Sequence, residues 1–291
     1  MTTSFATPVT NADGTRTAII AAPLQTLTAS ALLTVQLPAG LGATGVSGRY
    51  FLVRCGVQNE AERWIHWQIY LRRPLFAAQM QPLLTPESAP DATDAIPGVA
   101  SDLWILQLPA YADPGYDWLT RQPVGQALNL LGPFGQGFML APHHRNLLLL
   151  ADVARAPLFL ALIETMLDRG GRVTLIVEGA TAAAQALTPL LPIPVEVRHV
   201  TTPAQRQEQL DATLQWADQL CVILPNVALP EVAMQVRRRR FHLEAGFAQV
   251  LVEADLLCGV GACLACIVPT SDGGYTRACV HGPVLDLVQV A

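Results

Sequence analysis

Four of the chain's six cysteines lie in its last fifth: Cys258, Cys263 and Cys266 within nine residues, and Cys279 further on. The spacing is C-x4-C-x2-C followed by x12-C, and the first three intervals are those of a plant-type [2Fe–2S] loop. A two-iron cluster needs four thiolates on a loop that wraps it closely, with backbone N–H groups turned to the sulfurs. CGVGAC suits that task. Gly259, Gly261 and Ala262 carry almost no side chain, and glycine permits the positive φ that wrapping requires. The alternative is a four-cysteine zinc site, but zinc knuckles favour two short C-x2-4-C pairs and the second pair is missing. The spacing favours the cluster. Cys55 and Cys221 sit in apolar strand patterns and are expected to be plain buried thiols.

Upstream elements must position this loop. From Ala18 to about Leu140, short apolar and β-branched runs are separated by Gly and Pro: ALLTVQLP, GRYFLVRCGV, WIHWQIYL, LWILQLPAY and QALNLLG. Short strands at that spacing predict a small antiparallel barrel or sandwich. The turn-rich segment Thr85 to Ser101 is expected to be an exposed loop. At Asn146 the pattern changes. LLLLADV predicts a buried strand, APLFLALIETMLDRG a helix stopped by Gly170 and Gly171, and RVTLIVEGA, VEVRHV and QLCVILP further strands. That alternation indicates a parallel α/β layer, followed by a cysteine-bearing tail of about 50 residues.

The 291 residues suffice for about two domains plus a small module. Charged residues are only 14% and hydrophobic ones 51%, which leaves apolar surface to cover, as a permanent subunit interface would. No membrane span is expected, because Asp152, Arg155, Pro157 and Glu164 interrupt the longest apolar stretch. MTTSFATPVTNADGTRTAII lacks the charged start and apolar middle of a signal peptide, so the protein is expected to be cytoplasmic, with reduced thiols. A net charge of −5 gives no reason to expect nucleic-acid binding. All 18 basic residues are arginine; Arg237 to Arg240 is read as a solvated helix end, with docking of a partner or anion as the alternative. The six histidines, His143-His144 included, show no metal spacing, and no Ser/His/Asp or Cys/His catalytic arrangement is apparent. No catalytic residue is therefore assigned.

EADLLCGVGACLACIV followed by RACVHGPVLDL is similar to the C-terminus of the electron-transfer subunit of dihydroorotate dehydrogenase, the PyrK-type family. Glu253, Leu256, Cys258, Cys263, Cys266, Cys279, Gly282, Pro283 and Val284 occupy the positions of its E-x-x-M-x-CGVGAC-x-x-C and GPV-like segments. The resemblance continues upstream and in order. GRYFLVR resembles the family's PGQFVMLR strand, LRRPLF its RRPLS flavin motif, GYDWL its GT-x-x-L, and GPFGQGF its GPLGxGF.

The resemblance implies a ferredoxin-reductase-like protein. An FAD-binding antiparallel β-barrel (15–141) would precede a parallel α/β nucleotide-type domain (142–240) and a small C-terminal [2Fe–2S] domain (241–291). It implies Cys258, Cys263, Cys266 and Cys279 as cluster ligands, and Arg73, Pro74, Leu75, Phe76, Gly115 and Tyr116 around FAD, with Arg73 at the pyrophosphate. The implied partner is an FMN-containing catalytic subunit in a heterotetramer, with electrons passing through cluster and FAD to an acceptor.

The chain departs from the family at three places. Phe76 replaces the flavin-edge serine, Tyr116 replaces the threonine of Gly-Thr, and the glycine-rich nucleotide turn reads Ala151 to Arg155, with only Pro157 kept. Ile223-Leu224-Pro225 stands for the family's CGP. A carboxylate at Asp152 repels a pyrophosphate where the helix dipole would attract it, so NAD binding is expected to be lost. Two alternatives stay open: a repurposed subunit of another redox complex that uses a protein acceptor such as ferredoxin, and a non-redox assembly subunit with a structural metal site.

Overall fold

The computed structural model describes residues 7–42, 44–56, 69–83, 101–109 and 112–291. The expected loop from Thr85 and most of the WIHWQIYL run lie outside them.

Strands β1 (Val9–Thr10), β2 (Arg16–Ile20), β3 (Gln25–Thr26), β4 (Ser30–Pro38), β5 (Tyr50–Val53), β6 (Arg73–Pro82), β7 (Ser101–Pro109) and β8 (Ala127–Phe134) form one sheet in the order β1-β2-β8-β5-β6-β7-β4-β3. All its pairings are antiparallel, and β2 also pairs with β4, which closes six strands into a barrel. Inward residues such as Val35, Phe51, Leu75, Trp104 and Leu130 fill it, in agreement with the expected barrel. Helix α1 (Pro114–Thr120) sits between β7 and β8.

The second sheet has the order β11-β10-β9-β12-β13-β16, formed by β9 (Asn146–Asp152), β10 (Arg172–Glu178), β11 (Glu196–Val200), β12 (Gln219–Ile223), β13 (Ala248–Leu251) and β16 (Val284–Asp286). Its first five strands are parallel and β16 is antiparallel to β13. The central β9 is buried along Leu147 to Ala151, as a strand covered on both faces must be. Helices α2 (Leu160–Asp168, after a 3-10 turn Ala156–Phe159), α3 (Thr181–Leu187), α4 (Pro203–Thr213) and α5 (Leu229–Arg240) connect the strands. The arginine run forms the last turn of α5. Arg239 pairs with Asp211 at 2.6 Å, and Arg240 caps the Leu214 and Ala217 carbonyls at 3.1 Å each.

The cysteine-bearing tail does not stand apart from this sheet. It contributes β13 and β16, and the cysteine loop runs between them together with a small hairpin, β14 (Ile267–Pro269) and β15 (Tyr275–Arg277), and the short helix α6 (Ala278–His281). Val252 N–H donates to the Pro283 carbonyl at 2.9 Å, which draws the loop's two ends together. Gln136 N–H, just after β8, donates to the Gly282 carbonyl at 2.6 Å, and so ties the barrel's rim to the same place.

Candidate functional site

The cysteine loop gathers all four candidate thiols at one end of the molecule. Cys258 and Cys263 have their Sγ atoms 3.3 Å apart, and Cys266 and Cys279 theirs 3.1 Å apart. No disulfide joins them. Among the described residues no group of three or more His, Cys, Asp or Glu side chains is placed to hold a single metal ion. Two close pairs side by side suit two metal ions bridged by shared ligands, with one pair to each iron of a [2Fe–2S] unit.

The loop is built to stabilise thiolates. Backbone N–H groups of Cys263, then Val260 and Ala262, point at the Cys258 sulfur and lower its pKa to about 6, against the opposing effect of burial. Cys279 goes the other way: burial, then its neighbour Cys266, pushes it up to about 12, although the Gly261 N–H helps its anion. Two thiols in such different environments fit a group that itself supplies positive charge to the buried one. Gly259 and Gly261 both have φ +73°. At Gly259 the need is also steric, because a Cβ would lie 2.8 Å from the Phe134 ring. Leu264 adopts φ 58° as well, so the loop holds strained backbone at its outer turn.

The cup has two sides. Cys263 is exposed, as are Leu257, Val260 and Leu264 of the same loop. Cys266 and Cys279 are buried and share a core with Leu256, Ala278 and Tyr50. Tyr50, on β5, is fully buried and its hydroxyl has no hydrogen-bond partner among the described residues. An orphaned buried polar atom beside this set of thiols fits a site shaped for a further acceptor.

Of the six flavin-motif residues, Pro74, Phe76 and Tyr116 line a cleft of about 820 Å³, whereas Arg73, Leu75 and Gly115 do not. Pro74, Phe76 and Tyr116 form its barrel wall, Asp152, Arg155 and Leu158 its α/β wall, and Ala265 and Ile267 of the cluster segment its end. That volume suits an organic cofactor. Leu75 is different: it points into the barrel core opposite Phe51, so its side chain does not reach the cleft, because neighbours on a strand face opposite ways. Tyr116 is buried and donates its hydroxyl to the Pro74 carbonyl at 2.9 Å. Arg73 and Gly115 lie against one another; a Cβ on Gly115 would stand 3.0 Å from Arg73. Sequence reasoning missed Asp113. Its Oδ1 takes the Arg73 Nε–H at 2.8 Å and the Gly115 and Tyr116 N–H groups at 2.8 and 3.0 Å. A carboxylate of the chain thus already engages the cation that the resemblance places at the pyrophosphate. The signal was Asp before Pro, a common N-cap pattern.

At the carboxyl ends of β9, β12 and β13, where α/β sheets receive nucleotides, side chains lace the strands together. Asp152 accepts from the Arg155 backbone N–H at 3.0 Å and pairs with its guanidinium at 2.6 Å; Arg155 reaches Glu253 at 2.8 Å. Glu253 and Asn226 then exchange 2.9 Å hydrogen bonds in both directions. Nearby, the buried Arg206 joins Glu178 at the end of β10 to Glu231 on α5, each at 2.6 Å. Elsewhere Cys55 and Cys221 are buried, and burial holds the Cys55 thiol up at about 12. His143 and His144 pack edge to face in a loop, with His144 Nδ1 3.0 Å from Gln219 Oε1.

Residues 253–291 match a family model described as the iron–sulfur cluster binding domain of dihydroorotate dehydrogenase B. The chain is 28% identical over 188 residues to the dihydroorotate dehydrogenase B (NAD(+)) electron transfer subunit of Shouchella clausii, a match spanning 59% of this chain and 68% of that one. With the subunit of the same name from Desulforamulus reducens the identity is 26% over 261 residues, 84% of this chain and 86% of the other. Among solved structures, an NADH-dependent reduced ferredoxin–NADP oxidoreductase superposes with a TM-score of 0.67 at 15% identity, over 94% of this chain and 89% of that one. Phthalate dioxygenase reductase gives 0.55 at 10% identity, over 91% and 76%. At such identities the two structures speak for the fold, which is ferredoxin-reductase-like. No helix among the described residues is long and apolar enough to cross a membrane.

Proposed function

We propose that the chain is an electron-transfer subunit of the dihydroorotate dehydrogenase B kind, which carries a [2Fe–2S] cluster on Cys258, Cys263, Cys266 and Cys279 and relays electrons between a flavoprotein partner and an acceptor. The observation that carries the reading is the pairing of four thiols, 3.3 and 3.1 Å within pairs, under backbone amides in a loop that opens at the surface on one side and onto Tyr50 on the other. When bound, such a cluster supplies one-electron storage. The chain's part is to hold it, to exclude water from its inner face and to keep a second redox site near.

Tyr50, Phe76 and Phe134 support that role. Their rings pack in a row, 5.9 and 5.8 Å between centroids, from the cleft wall to the loop at Gly259, and form a dry wall between the two sites. FAD is proposed for the cleft, against Pro74, Phe76, Gly115 and Tyr116, with Arg73 the group its diphosphate would recruit. The partner is proposed to be an FMN-containing catalytic subunit of dihydroorotate dehydrogenase type, in a cytoplasmic heterotetramer serving pyrimidine synthesis. The exposed apolar rim of Leu257, Val260 and Leu264 beside Cys263 is a fitting contact. A three-part division at 15–141, 142–240 and 241–291 is proposed, with β13 and β16 lent to the central sheet.

The lacing of Asp152, Arg155, Glu253 and Asn226 favours an acceptor other than NAD, such as a small iron–sulfur protein. Reduction of the purified complex by its partner's substrate, followed optically with NAD and then ferredoxin as acceptors, tests this. Rapid reoxidation by NAD would overturn the choice of acceptor and leave the cluster reading standing.

A further inference from the structure

The Tyr50 hydroxyl is buried and has no hydrogen-bond partner among the described residues. A buried hydroxyl without a partner is destabilising, and native folds keep one where something bound there completes it. The ring of Tyr50 is fixed between Phe76 and Phe134, tilted by 51° and 43° to them. Its Cε1 edge lies against Gly135, where a Cβ would stand 3.2 Å from that edge and 2.5 Å from Pro283, four residues after Cys279. The phenol also shares its core with Cys266 and Cys279. The Cε1 edge, next to the hydroxyl, therefore lies at the base of the cysteine loop, where the barrel's rim meets Gly282 and Pro283. Trp104 Nε1, likewise unpartnered, belongs to the barrel core, which holds none of the four thiols.

Resting on the cluster reading above, we propose that the Tyr50 hydroxyl donates a hydrogen bond to a sulfur on the Cys266–Cys279 side of the bound cluster and so raises its reduction potential. Reduction adds an electron that spreads over the sulfurs, so a donor fixed at a sulfur favours the reduced form. Tyr50 is in this sense a positioning residue for charge, not a ligand. It makes the cluster a better acceptor from a flavin than the loop alone would.

The test is an anaerobic redox titration of the full chain and its Tyr50→Phe variant, followed by electron paramagnetic resonance of the reduced cluster, with iron and sulfide assayed in each. Phenylalanine keeps the ring contacts and removes only the donor. We expect unchanged iron and sulfide and a lower midpoint potential, so that at the wild-type midpoint clearly less than half of the variant's cluster is reduced. Exchange into deuterated water should shift the iron–sulfur vibrational bands of the wild type more than those of the variant. Equal midpoints with full clusters would overturn the inference and spare the cluster reading. A shift confined to a bound flavin would also overturn it, by turning the donor toward the cleft. A wild-type chain without iron and labile sulfide would bring down both, and the assay identifies that case directly.

Discussion

Gly259→Ala isolates the part of the loop that only this backbone can supply. Gly259 has φ +73°, in the left-handed region, where an L side chain costs about 1–2 kcal/mol. An added Cβ would also stand 2.8, 2.9 and 3.0 Å from three atoms of the Phe134 ring, which is held in turn against Tyr50. Overpacking of that kind costs about 1–3 kcal/mol, for a total of roughly 2–5 kcal/mol at the cluster loop. Gly273 provides the control. It shares the positive φ, at +82°, but a Cβ there meets nothing within 4 Å, so Gly273→Ala should lose only the backbone part. The two variants should differ by about 1–3 kcal/mol in unfolding free energy, with the Gly259 variant also losing iron and sulfide on gel filtration. Phe134→Leu in the Gly259→Ala background should recover part of the loss, because the steric partner is gone. If Gly259→Ala retains full cluster and melts with Gly273→Ala, the close packing of Phe134 against the loop is not a constraint and the argument fails.

Three further outcomes are expected. Cys266→Ser or Cys279→Ser should each abolish the visible absorption of the purified chain, whereas Cys55→Ser and Cys221→Ser should leave it intact. Asp113→Asn keeps the helix cap and removes the negative charge that competes for Arg73, so FAD should bind at least ten-fold tighter (about 1.4 kcal/mol) by fluorescence titration while riboflavin, which has no diphosphate, binds unchanged; equal gains for both ligands would refute competition at Arg73. The same residue should show in acid unfolding. Burial alone would raise its pKa, but Arg73 and the Tyr116 and Gly115 amides outweigh it and hold the carboxyl below its ordinary 3.8. Its contribution is therefore present above about pH 4 and lost as the pH falls below that, so Asp113→Asn should flatten the stability profile there and nowhere else.

The cluster loop was readable because its chemistry is local: four cysteines, two glycines and their spacing sit within 22 residues of sequence. Buried strands such as Leu147 to Ala151 were readable for the same reason, since a continuous apolar run is a local signal. What escaped was set by distant pairings. Arg155 and Glu253 are 98 residues apart, and Arg73 and Asp113 are 40. Nothing in the order of residues says that the tail returns to the central sheet as β13 and β16, or that Tyr50 packs in the core of Cys266 and Cys279 rather than in that of the barrel. Asp152 was recognised as a charge hostile to pyrophosphate, but not as half of an ion pair that closes its own turn.

The most direct test of the account is an anaerobic assay of the purified chain for iron, acid-labile sulfide and zinc, with visible spectra before and after NADH and then dithionite. The account predicts iron and sulfide in equal amounts, about two of each per chain, with absorption that NADH leaves alone and dithionite bleaches reversibly. One zinc per chain with no labile sulfide would contradict it, and the paired thiols would then have to be read as a structural metal site.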